Sequence, residues 1–523
     1  MSAIHDSYDV IILGAGVGGG AMANRLAQAG AKVLVIERGG RLPREADTWS
    51  VRKVFHEQAF TTPETWRDKD GKEFRPSTFY YVGGNSKFFG AATVRFRERD
   101  FQEIAHHEGV SPAWPWSYAD FAPYYDEAER LMGTHGQAGE DPLEPPRSGP
   151  FPHPAVPHEP VIEGVAERLR SVGIRPFHLP QAVDMHPGGT CIRCQTCDGF
   201  ACRLGAKNDA EMRLVNPALA TGNVDLVLNT YVRRLLTDPS GRRIVAVEVE
   251  DNGQVRSIAA DRFISSAGAI NSAALLLRSA NDKHPRGLGN NESDQLGRNY
   301  MAHNNTAMMA IHPFRRNPVV FQKTLCINDF YFENEVAPYP LGNVQGLGKL
   351  QAGMLTARVK WAPERMMGYF ASRSLDWWIM SEDLPDPANR VSLDGDGKIR
   401  LAYTPNNLTA HQQLVAHWGK VMRRIGYPIV ITQRMDIKVS MHQCGTARFG
   451  RDPRDSVLDP FCRVWDIDNL FVVDASFLPS SAGFNPSLTI VAQAIRTAEH
   501  IAGALPARSG KTESATRTNK VSA

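Results

Sequence analysis

No apolar run in this chain approaches the ~18 residues needed to cross a bilayer, which excludes a membrane-spanning helix. Charge of one sign is missing too: 59 Lys and Arg stand against 56 Asp and Glu, leaving +3. Such a balance offers no broad basic face, so neither nucleic acid nor an anionic membrane is expected as a partner. Cysteine is sparse, 7 in 523 residues, too few to staple a chain of this size. The opening M-S-A-I-H-D-S has no basic stretch, apolar core or twin arginine, so the expected location is cytoplasmic. Internal repeats are absent from the sequence. What remains is an ordinary soluble composition in a chain longer than the ~250–300 residues at which single cores stop growing, so two domains are expected.

Residues 8–37 carry the clearest pattern, Y-D-V-I-I-L-G-A-G-V-G-G-G-A-M-A-N-R-L-A-Q-A-G-A-K-V-L-V-I-E. Val10–Leu13 reads as a buried parallel strand. Gly14, Gly16 and Gly19 then supply G-x-G-x-x-G where the strand turns into a helix. Gly14 allows the tight turn, Gly16 lets backbone N–H groups approach a pyrophosphate, and Gly19 permits close helix–strand packing. The phosphates are expected at the helix N-terminus, where free N–H groups and the dipole favour negative charge. A second strand over Lys32–Ile36 ends at Glu37, whose carboxylate suits ribose hydroxyls and repels a 2′-phosphate. The pattern fits NAD or FAD and does not choose between them.

Further on, residues 141–160 hold eight prolines and predict an extended surface loop. Strands are expected at 224–229, at 244–250 and at Arg262–Ser265, the last leading into S-A-G-A-I-N-S-A-A-L-L-L. Residues 301–440 lack glycine-fingerprint loops and read as a separate substrate domain. A last apolar strand at 469–475 and an amphipathic helix at about 487–504 look built to finish the first sheet. The dinucleotide domain is therefore expected to comprise 1–300 and 441–506, followed by a disordered tail from 507. Cys191, Cys194, Cys197 and Cys202 have the spacing C-x2-C-x2-C-x4-C. It admits an iron–sulfur loop, a zinc site, or plain thiols or disulfides. Trp377, Trp378 and Phe321 are candidates for either core or pocket wall.

Taken together, several motifs resemble the glucose–methanol–choline (GMC) family of FAD-dependent oxidoreductases over nearly the whole length. They are G-A-G-V-G-G from Gly14, G-G-N-S-K-F-F-G-A from Gly83, W-P-W-S-Y-A-D-F-A-P-Y-Y-D-E-A-E-R from Trp114 and N-R-V-S-L-D from Asn389. The most specific are H-Q-C-G-T-A-R-F-G from His442 and V-D-A-S-F-L-P-S-S-A-G-F-N-P-S-L-T-I from Val473. The resemblance implies an α/β fold: a Rossmann-type FAD-binding domain beside an α+β substrate domain on an antiparallel sheet. It implies FAD as cofactor. It makes Gly14, Gly16 and Gly19 the pyrophosphate loop and Glu37 the ribose ligand. Gly83, Gly84, Asn85 and Ser86 match the second glycine loop, and Val232 a backbone contact to adenine. Asp474 and Ala475 match the segment by the ribityl and phosphate, and Asn485, Pro486 and Ser487 the turn beside the flavin ring. Some members attach the flavin through a histidine in the second loop. Residues 87–89 here are Lys, Phe and Phe, so non-covalent FAD is expected.

Oxidising an alcohol with a flavin requires the hydroxyl proton to leave as a hydride passes from carbon to flavin N5. A neutral imidazole suits the proton step. His442, in H-x-x-G-T, resembles the family's catalytic base, and Asn485 stands where the family places His or Asn to hold the substrate oxygen. The expected activity is oxidation of a CH–OH group in an alcohol or sugar. The electron acceptor is left open between O2, a quinone and a protein. Two alternatives stand beside this reading: a lyase on the same fold, and the flavoprotein subunit of a larger electron-transfer dehydrogenase.

Overall fold

The computed structural model describes residues 8–439 and 441–504. The predicted tail from 507 lies outside the described residues. Strand β1 (Tyr8–Leu13) pairs in parallel with β2 (Val33–Ile36), which pairs in parallel with β3 (Val224–Val227). Helix α1 (Val17–Gln28) crosses between β1 and β2. Strands β4 (Tyr231–Thr237) and β5 (Ile244–Asp251) form a hairpin, and β6 (Gln254–Ser265) follows. Only the end of β6 is predicted from sequence, because its two halves do different work. Gln254–Ala259 pairs antiparallel with β5, while Ala260–Ser265 runs parallel to β1. The first half is exposed except at Ile258 and mixes Val255, Ile258 and Ala259 with Gln254, Arg256 and Ser257, so apolar patterning finds only the end of the strand, where Phe263–Ser265 are buried. Helix α2 (Ala269–Arg278) leaves the end of β6 through Ser266–Gly268.

A second sheet is antiparallel throughout. It contains β7 (Asn304–Ile311), β8 (Leu325–Ile327), β9 (Asn343–Gly346), β10 (Ser374–Ser381) and β11 (Ile429–Arg434). Their order is β11-β7-β10-β9-β8, with Phe177–His178 added beyond β8. Helix α3 (Leu408–Arg424) and the helix Pro160–Ser171 cover one face. Trp377 lies on that face and meets Trp418 of α3 edge to face at 5.0 Å, so it is core. Trp378, one residue on, faces the other way because side chains alternate along a strand. It stands across from Gln345 of β9. Phe321 is buried in a small cluster with Ala91, Val156 and Val183.

The proline-rich segment is not wholly irregular. His153–Pro154 runs parallel to Thr134–Gly136, and Pro160 opens its helix at the first position, where a missing N–H costs nothing. The chain returns to the first sheet with β12 (Leu470–Val472), parallel to β6. The parallel strands then read β3-β2-β1-β6-β12. Helix α4 (Ser487–Gly503) packs against α1 and is buried along most of its length. Among the described residues no helix is long and apolar enough to cross a membrane.

Candidate active site

The first glycine loop is built by backbone packed on backbone. Gly14 has φ +104°, a conformation that favours glycine. A Cβ on Gly19 would collide with the carbonyl of Gly14, and one on Gly18 with the carbonyl of Val473. Around Gly16 the opposite holds: a Cβ there would meet nothing within 4 Å. Gly16 caps α1 without any side-chain hydrogen bond, so no capping side chain satisfies the first N–H groups of the helix. An anionic diphosphate is the ligand that such a cradle suits. Glu37 is buried at the end of β2, its Oε2 accepting from Ala15 N and its Oε1 from Gly39 N, each at 2.9 Å. Burial raises its pKa, and those two N–H groups work against the rise. Thr230 N donates to Glu37 O, which brings the start of β4 and Val232 near the same strand end.

The second glycine loop locks onto the first. Gly83 N donates to Ala15 O at 2.8 Å, and a Cβ on Gly84 would lie 3.3 Å from Gly16 Cα. Ser86 Oγ donates to Gly83 O and accepts from Ala210 N, while Asn85 is exposed. Lys87 is buried and ion-paired with Glu211 at 2.6 Å and Asp209 at 3.1 Å. Asp474 accepts from Gly268 N, Ser272 Oγ and Ser476 N, tying the start of α2 to Ala475 and the C-terminal segment.

The four clustered cysteines are free thiols. Among the described residues no three His, Cys, Asp or Glu side chains are gathered so as to hold a metal ion. Burial pushes the Cys197 thiol up to about 12. The cysteine loop is instead anchored by Lys207, whose Nζ donates to the carbonyls of Cys197, Phe200 and Phe89 at 2.6–2.8 Å. From that loop Asp198 reaches Lys323 at 2.9 Å, against Gly90 of the second glycine loop.

His442 and Asn485 come together at the junction of the two sheets. The segment ahead of β7 pairs with the His442 loop through mutual Met301–Cys444 backbone hydrogen bonds, and Gly445 N donates to Ala475 O. His442 has φ +58°. Its Nε2 lies 3.2 Å from Asn485 Nδ2, and its Nδ1 lies 3.0 Å from His303 Nδ1. Asn485 Oδ1 accepts from Gln345 Nε2 at 3.1 Å. Pro486 and Ser487 follow at once as the cap and first residue of α4. Desolvation around the ring, the largest cause, holds the His442 pKa well below the usual imidazole value, so the ring is neutral at neutral pH.

Two family models named for GMC oxidoreductases match residues 75–305 and 385–494, and a Rossmann-like NAD(P)-binding model matches 12–70. The 6′′′-hydroxyparomomycin C oxidase of Streptomyces lividus is 31% identical, covering 96% of this chain and 92% of that protein. The chain belongs to the GMC oxidoreductase family. Paromamine 6′-oxidase of Streptomyces fradiae is 30% identical over the same shares of the two chains. A solved GMC fold, pyridoxine 4-oxidase from Mesorbium loti, superposes with a TM-score of 0.64 at 18% identity, covering 94% of this chain and 99% of that one. Members of the GMC family bind FAD, and the open cradle at Gly16 fits its diphosphate.

Sequence reading missed His303, Gln345, Asp198 and Lys323. Gln345 and Asn343 left a faint signal, two polar residues alternating in a strand that turns out fully buried. His303 left none, because its role arises from pairing with a segment 139 residues away.

Proposed function

We propose that this GMC oxidoreductase oxidises a CH–OH group of a small alcohol or sugar to the carbonyl, with FAD held non-covalently. The observation that carries the reading is the neutral His442 imidazole, whose Nε2 faces the Asn485 amide at 3.2 Å. A substrate hydroxyl set between them gives its proton to Nε2 while its oxygen accepts from Nδ2. Donors oriented in advance toward a developing alkoxide are worth about 2.7–4 kcal/mol in the barrier. Gln345 keeps Nδ2 turned toward the substrate by occupying Oδ1. FAD, when bound, supplies the acceptor for the hydride at its N5.

Gly14, Gly16, Gly19, Gly83, Gly84, Asn85 and Ser86 would line the diphosphate and ribityl chain, with Asp474 and Ala475 closing the far side. Glu37 has spent one lone pair on each oxygen, which leaves room for ribose hydroxyls. Non-covalent attachment is supported by Lys87, which is held by two carboxylates at the loop where some relatives carry a histidine. The names of the two Streptomyces relatives make hydroxylated amino sugars the first substrates to try.

The test is anaerobic addition of an alcohol and sugar panel to the flavin-loaded protein. One member should bleach the flavin. His442→Ala should keep FAD and reduce it about 10²–10⁴-fold more slowly. Rapid reduction in that variant would remove His442 from the proton step.

A further inference from the structure

His442 can act as a base through Nε2 only if its ring proton sits on Nδ1, and the surrounding hydrogen bonds specify that tautomer from both ends. At one end, His303 Nε2 lies 2.8 Å from the backbone carbonyl of Ser481. A carbonyl only accepts, so Nε2 of His303 carries its proton. In the neutral ring Nδ1 is then bare, and it accepts from His442 Nδ1 at 3.0 Å. At the other end, Asn343 Nδ2 donates to the backbone carbonyl of Ile327 at 3.1 Å, which leaves its Oδ1 as an acceptor. Gln345 Nε2 donates to that Oδ1 at 3.0 Å and to Asn485 Oδ1 at 3.1 Å. Asn485 therefore presents Nδ2 to His442. Were His442 protonated on Nε2 instead, donor would face donor.

The two ends differ in what happens when substrate arrives. A hydroxyl inserted between Nε2 and Asn485 breaks the Asn485 contact, and only the Nδ1 side still fixes the tautomer. We infer that His303 is the positioning residue of the base: it accepts from His442 Nδ1 and so keeps Nε2 bare throughout the proton step. When Nε2 takes the substrate proton, the Nδ1–H bond to His303 remains and steadies the imidazolium.

His303 is itself rigidly placed. Its φ is +62°, and Asp383 accepts from the backbone N–H groups of Ala302 and His303 at 2.8 and 2.9 Å. The remaining bonds to Asp383 come from Tyr403 Oη and Ser481 Oγ, so the carboxylate is occupied by donors other than the His303 ring. Sequence reading gives His303 no role, and the inference rests on His442 being the base.

Flavin reduction followed by anaerobic rapid mixing across pH tests the assignment in the flavin-loaded protein, using the panel compound that bleaches it. Three replacements separate position from bulk. In His303→Asn the amide oxygen stands near the former Nδ1, and asparagine tolerates the left-handed backbone, so the fold survives. His303→Gln places its amide near the former Nε2, and His303→Ala removes both. The expected result is a rate within about three-fold of the parent for His303→Asn. His303→Ala and His303→Gln should fall roughly 10- to 100-fold, with substrate affinity kept and the acidic limb of the pH profile, which the base sets, moved, since part of the acid–base contribution is lost. A ¹⁵N-histidine spectrum should show a protonated Nδ1 and bare Nε2 for His442 in the parent and a mixture in His303→Ala. Parent-like rates in His303→Ala, or equal loss in the Asn and Ala variants, would overturn the proposal. His442→Ala, run beside them, separates the two readings. If it is inactive while His303→Ala is normal, only the positioning role fails; if it reduces flavin normally, the base assignment fails first.

Discussion

At the first glycine loop the backbone itself makes the site, with carbonyls packed where side chains would otherwise be. At the His442–Asn485 junction side-chain amides and imidazoles make it, drawn from segments around 303, 345, 442 and 485. The first construction lies in one stretch of chain and, apart from the open position at Gly16, tolerates almost no added atom. The second is dispersed, and each member gets its orientation from the next. Damage to the first should therefore appear in folding and cofactor affinity, and damage to the second in rate.

The sharpest way to break this contrast lies within the glycine loop. Gly19→Ala drives a Cβ into the Gly14 carbonyl, with Ile12 only 3.2 Å away. Overpacking of this kind costs about 1–3 kcal/mol, and more where backbone must move. The FAD-free protein should melt earlier. Gly16 has ordinary backbone angles, and the space beside it is open. Gly16→Ala should leave the melting temperature of the FAD-free protein unchanged while weakening FAD binding, because the new methyl group fills space meant for the diphosphate. Equal destabilisation of the FAD-free protein by both changes would show that the open space is not a ligand cradle.

The junction is the place for rate effects. Asn485→Ala should retain FAD and slow its anaerobic reduction by about 10²–10³-fold, the cost of removing one preorganised donor. Gln345→Leu touches no substrate oxygen in the proposed arrangement but frees the Asn485 amide to turn. A smaller loss, roughly ten-fold, is expected from such misplacement. A Gln345→Leu effect as large as that of Asn485→Ala would mean that Gln345 itself contacts the substrate. Its Oε1 is buried without a protein partner, which makes that comparison worth measuring first among the pair.

What the sequence made legible follows the same division. The strand–glycine–helix unit at Tyr8–Gln28 carries its whole glycine spacing in one stretch of chain, so its pattern and structure coincide even though Ser266 and Val473 pack against Gly14 and Gly18. His442 and Asn485 were visible through their motifs. Their supports were not, because Gln345 reaches Asn485 across 140 positions and His303 reaches His442 across 139. The same limit hid the front half of β6, whose exposed residues pair antiparallel with β5 rather than in the parallel core. Trp377 and Trp378 could not be told apart by composition. Only the register against β9 shows that Trp377 meets α3 and Trp378 the Gln345 side.

The smallest expected effect compares two histidines on opposite sides of the second sheet. His411 of α3 bonds Thr306 Oγ1 at 2.8 Å and Ser381 Oγ at 2.9 Å. Hydroxyls donate or accept as required, so either neutral tautomer is satisfied there, whereas His442 has one nitrogen assigned to each role. Burial lowers the His411 pKa to about 3. In the unfolded chain the same ring takes up a proton near ~6.5. Between those values the unfolded state binds the extra proton, so this contribution to stability is full above ~6.5 and is lost as pH falls toward the folded value. His411→Gln keeps partners for the hydroxyls and removes the titration. Its unfolding free energy, from urea titrations between about pH 6 and pH 4, should fall less steeply than the parent's by about one proton. Parallel slopes would mean that His411 already accepts a proton in the folded protein, and that the far face of the sheet is wetter than its packing against α3 implies.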